Sequence, residues 1–176
     1  ISIGLVGSEM CIRDSHAGAL VSKGESALGT KFRSGSLQVS QASHLSFVSI
    51  MATENNTKVN ITLPFGVRTV GNSTGNLIIP ELNRGESYVV SVDSNGGNYE
   101  NGIIGTLIES TKPIVVNTGS GTGSFTQGPG QGGQDFGVDQ IVGSDLVGSE
   151  YIFVRGNGEN TWENVLLISD QDNTHI

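Results

Sequence analysis

With 26 glycines in 176 residues, and nine Lys and Arg against 17 Asp and Glu, the chain carries a formal net charge of −8. That balance argues against nucleic acid as a partner, since little positive charge is available to displace phosphate counterions. A single cysteine leaves no disulfide framework or thiolate metal site, and no apolar run approaches the ~18 residues of a membrane-spanning helix.

The chain opens on a segment that resembles something other than protein-coding sequence. Leu5–Ser15 reads L-V-G-S-E-M-C-I-R-D-S, similar to the translation of a transposon-end adaptor from tagmentation sequencing libraries. Glu9, Arg13 and Asp14 interrupt any signal-peptide apolar core. Ile1–Ser15 is therefore read as a non-native, adaptor-derived segment that adds nothing to the core. Cys11 leaves with it, and losing Glu9, Asp14 and Arg13 takes the net charge from −8 to −7. Residues 16–176 are expected to be an internal fragment of a longer protein.

From there β-patterned runs dominate. Leu45–Ala52 is mostly apolar and ends at the turn Glu54-Asn55-Asn56. Val59, Ile61 and Leu63 then alternate with Lys58, Asn60 and Thr62, the period of a half-buried strand, and Pro64 and Gly66 close it. Ser36–Leu63 has no Gly or Pro, but its β-branched content argues against a helix. Tyr88, Val90 and Val92 follow the turn Asn83-Arg84-Gly85-Glu86. Ile103–Glu109 and Ile114–Asn117 read as two strands joined by Ser110–Pro113, with Pro113 near a strand start, where its missing N–H does least harm. Gly119–Gly137 reads as a Gly-rich connector. Tyr151–Arg155 and Val165–Ser169 complete the set of strands.

Part of this pattern occurs twice. Ser49–Val59 aligns without gaps to Leu166–Ile176, and Gly29-Thr30-Lys31-Phe32 aligns to Gly148-Ser149-Glu150-Tyr151. Asn55 against Asp172 is an offset of 117, and Gly29 against Gly148 one of 119. A unit of that length restarting near Gly148 is the reading. In each copy the Asn-Thr step is expected to turn a hairpin, because Asn tolerates left-handed backbone. The division that follows is a first all-β unit over 16–118, a linker over 119–137 and a truncated second unit over 138–176.

Candidate chemistry is sparse. Gly71-Asn72-Ser73-Thr74-Gly75 fits the G-x-S-x-G nucleophile elbow, but no helix start follows and only His175 lies downstream, so Ser73 is read as a turn residue. Gly119-Ser120-Gly121-Thr122-Gly123 lacks the Lys-Ser/Thr of a phosphate loop. Asp139, Asp170 and Asp172 offer hard oxygen atoms to Ca²⁺ without the spacing of a known loop. His16, His44 and His175 are scattered. Asn55, Asn60 and Asn72 each begin an N-x-S/T sequon, which matters only in a glycosylating secretory pathway. No catalytic, cofactor-binding or metal residue is assigned, and no enzyme is expected.

Ile50-x-Ala52-x-x-Asn55-Asn56-Thr57-x-Val59, Leu82-x-x-Gly85-Glu86-x-Tyr88, Gly105-Thr106-x-Ile108-x-Ser110-x-Lys112-Pro113-Ile114-x-Val116, and Asp135-x-x-x-Asp139-Gln140-Ile141 followed by Gly148-x-x-Tyr151 appear in that order. Together they resemble the N-terminal domain of IgGFc-binding protein and its bacterial relatives, over Gly29–Ile176. Gly143 departs from the family, which often has Pro there. The resemblance implies secreted or surface-exposed, repetitive all-β proteins, including adhesin-like proteins of gliding Bacteroidota exported by type IX secretion. The fold expected is all-β, an antiparallel sandwich of about seven strands, plus the start of a second unit, with β-propeller blades as the alternative. The function expected is a non-catalytic extracellular or cell-surface module of an adhesin, with a protein or glycan ligand and no cofactor. A carbohydrate-binding accessory domain of a secreted polysaccharide-degrading enzyme is the alternative.

Overall fold

The computed structural model describes residues 18–39, 45–92, 102–124, 135–155 and 165–175. The set-aside segment Ile1–Ser15 lies outside them, as do His16 and His44. Among the described residues there are nine strands: β1 (Gly18–Val21), β2 (Gly29–Arg33), β3 (Gln38–Val39), β4 (Ser46–Ala52), β5 (Thr57–Thr62), β6 (Asn76–Leu82), β7 (Ser87–Val92), β8 (Leu107–Ser124) and β9 (Asp135–Gln140). All pair antiparallel except β1, which runs parallel to β9. The all-β, antiparallel expectation holds.

The plan is three long tracks, each bent near its middle, with the β4–β5 track between β8 and the β6–β7 track. β4 and β5 lie end to end along one side of β8, Ser46–Ala52 facing Ser120–Ile114 and Val59–Thr62 facing Ser110–Leu107. β6 and β7 flank that track in turn, on β5 and β4 respectively. On β8, β2 occupies the first half and β9 the second. Alternation sends one face of every track inward. Val48 and Ile50 of β4, Val59 and Ile61 of β5, Val90 and Val92 of β7, and Ile108, Ile114 and Val116 of β8 share one core with Phe32. Both halves of the bent sheet feed that single core, which replaces the separate blades of a propeller.

Four sequence expectations change. Asn55-Asn56 does not turn a hairpin: β4 and β5 never pair, and residues 53–56 make a corner that carries one track from one half of the sheet to the other. Buried positions are even in β4 and odd in β5, so the corner resets the alternation and keeps both halves facing the core. Ile103–Glu109 and Ile114–Asn117 are not two strands, since β8 runs unbroken through Pro113. Proline is harmless there because Thr111–Pro113 faces the corner on one side and a register shift between Gly29 and Lys31 on the other. No ladder bond needs its N–H.

The Gly-rich connector is the third change. Gly119–Ser124 belongs to β8 and Asp135–Gly137 to β9, while 125–134 lies outside the described residues. Glycine serves close approach here: a Cβ on Gly119 would overlap the Gly137 carbonyl oxygen, and one on Gly123 would overlap Leu37. Tyr151–Arg155 and Val165–Ser169 are likewise not strands. Neither has a ladder partner among the described residues, and β-propensity alone does not make a strand.

Candidate functional site

The motif residues gather along the line where the tracks bend. Asn55 Oδ1 accepts from the Arg84 N–H at 3.0 Å, and the Asn55 carbonyl accepts from Lys112 Nζ at 2.6 Å. Glu86 Oε2 accepts from the Asn83 N–H at 2.6 Å, and Thr111 Oγ1 from the Lys58 N–H at 3.0 Å. Between the tracks, the Gly85 N–H donates to the Ala52 carbonyl at 2.8 Å and the Ala52 N–H to the Glu86 carbonyl at 3.0 Å. Asn56 at φ 56° and Gly85 at φ 85° supply the left-handed backbone the two corners need. The hydrogen bonds of these polar side chains go to holding corners.

Asp139-Gln140 is similarly occupied. The Gln140 side chain is buried, its Oε1 accepting from the Lys23 and Gly24 N–H groups at 2.7 and 2.8 Å while Nε2 donates to the Gly24 carbonyl at 2.8 Å. It clamps the loop that leaves β1. Asp139 pairs with Lys23. Asp170 pairs with Lys31 at 2.8 Å and Arg33 at 3.2 Å. The Lys31 hydrogen bond, helped by Arg33, holds the Asp170 carboxyl below its ordinary range against partial desolvation. Asp172 and His175 are exposed. The structure thus sends the three aspartates to separate tasks, and no group of three potential metal ligands occurs among the described residues.

Ser73 sits in a tight loop, not on a strand-to-helix elbow. The Thr69 N–H donates to the Ser73 carbonyl at 2.9 Å, and the Ser73 N–H donates to Thr69 Oγ1 at 3.0 Å. This loop borders an open groove of about 710 Å³ walled by Leu63, Phe65, Val67, Arg68 and Thr74. The turn Pro64–Val67, closed by the Val67 N–H on the Pro64 carbonyl at 3.2 Å with Gly66 at φ 80°, projects Phe65 entirely into solvent. A guanidinium-bearing residue and an exposed ring beside an apolar wall can hold a ligand. They supply no nucleophile–base pair. Sequence reading passed over Phe65 and Arg68, though Pro64-Phe65-Gly66 signals a turn that pushes its second residue outward.

A family model described as IgGFc binding protein matches residues 17–176. No curated protein and no solved structure matches the chain.

Proposed function

The chain belongs to the IgGFc binding protein family, and from that premise we propose that it is a non-catalytic, extracellular binding module of an adhesin-like protein. One observation carries the reading: the polar motif residues Asn55, Glu86, Lys112 and Gln140 are spent on corners and clamps, so they specify a scaffold and leave recognition to the exposed loops it displays. The family's description names an antibody fragment as ligand, but none of these polar motif residues lines the groove beside Phe65. The groove beside Phe65 offers a place for contact, and its exposed ring also suits stacking on a sugar, which favours the carbohydrate-binding alternative.

A weak module adheres by repetition, since linking copies raises the effective concentration of each next contact. Monomeric and streptavidin-tetramerised chain should therefore be compared on glycan and protein arrays. The monomer is expected to bind no tighter than micromolar, the tetramer at least tenfold tighter, and Phe65→Ala with Arg68→Ala to abolish the signal. Nanomolar binding of one defined ligand by the monomer would overturn the avidity reading. Labelling of Ser73 by a serine-hydrolase probe would overturn the non-catalytic one.

A further inference from the structure

The corner that bends the first track occurs a second time. Residues 170–173 repeat the bend-and-turn sequence of 53–56, and Asn173 takes φ 58° where Asn56 takes 56°. The Thr174 hydroxyl donates to the Gln171 carbonyl at 2.8 Å, as the Thr57 hydroxyl does to the Glu54 carbonyl at 2.8 Å. A left-handed asparagine closed by the same threonine bond, 117 residues on, is one device used twice. Yet the surroundings differ. In the first copy Val48 and Ile50 are fully buried, whereas their counterparts Val165 and Leu167 are 52% and 50% exposed.

We propose that residues 165–175 are the opening strand and corner of a second unit. Their open face is then the docking surface for a bent strand pair of the 76–92 kind, supplied by the same polypeptide. The first unit shows what covers such a face. β7 lies along β4, and the turn at Asn83–Glu86 brings a backbone N–H to the Asn55 side chain. Asp172 stands where Asn55 does, and its carboxylate has no partner among the described residues. A carboxylate accepts such an N–H more strongly than a carboxamide.

The side facing the first unit is already taken. Asp170 is gripped by Lys31 and Arg33, the Asp170 carbonyl accepts from Arg33 Nη2 at 3.1 Å, and Ile168 packs over Gly35. Ile168 matches Met51, an outward position of β4. The segment is therefore anchored by its outer face and presents the inner one, so the missing partner must complete a core.

The test appends a second copy of residues 60–124 after Ile176, the position that matches Val59, and follows amide hydrogen exchange at Leu166–Ile168 and Thr174. The extended chain is expected to protect these amides at least tenfold over the 176-residue chain, and to lose the dye binding that the exposed apolar residues support. Replacing Asn83, Gly85 and Glu86 by alanine in the appended copy alone should reverse the protection. Unchanged exchange in the extended chain, whether or not the appended copy folds, overturns the proposal. So does protection that survives loss of the appended corner.

Discussion

At the scale of single residues, the core is made of aliphatic side chains at alternating positions, with Phe32 the sole aromatic ring among the described core residues. Ile61 is fully buried among them. Ile61→Ala should lower unfolding stability by about 2–5 kcal/mol, from lost transfer energy plus the cavity left behind, as read in urea titrations. Asp170 gives a pH signature. Its folded pKa lies below the unfolded one, so the ion pairs with Lys31 and Arg33 contribute fully above the ordinary aspartate range near pH 4, and that contribution is lost as pH falls through the folded value. The groups are partly solvated, which limits the effect to about 1 kcal/mol or less. Asp170→Asn should depress the melting temperature at pH 7, and the gap to the parent should close only as pH falls below the ordinary aspartate range.

Which residues point inward was legible from alternation, as Val59, Ile61 and Leu63 illustrate. What Asn55-Asn56 does was not. A hairpin and a corner use the same residue chemistry, and the choice rests on whether β5 finds β4 or β8, a matter decided some fifty residues downstream. Pro113 misled for a related reason, since its tolerance depends on the irregularities of both neighbours. The glycines of β8 misled through composition: glycine marks connectors, but here it lets β9 approach. Gly119→Val should separate β8 from β9, freeing the amides of Val138 and Asp139 to exchange, while those of β5 and β6 stay protected. The groove escaped notice because its walls are brought together by turns and bear no catalytic pattern.

For the molecule as a whole, β8 is the organiser. It pairs with β2, β3, β4, β5 and β9, and without it only the β4–β7, β5–β6 and β1–β9 pairs remain. A chain ending before Leu107 should therefore show no cooperative thermal transition by circular dichroism, even though it retains β1 to β7, four of which pair with β8. Two-stranded remnants with half a core are marginal in water.

The same centrality sets a clock. Ser46 of β4 pairs with Val92 of β7 on one side and Ser120 of β8 on the other, so β4 must wait for its second partner, translated 74 residues later. At about 5–20 residues per second, that interval is roughly 4–15 s, far longer than the microseconds in which a hairpin closes. Throughout it, Val48 and Ile50 lack the core neighbours Ile114 and Val116 that β8 brings. The nascent chain passes through a long apolar-exposed adolescence, and its yield in any host will depend on what shields β4 until β8 arrives.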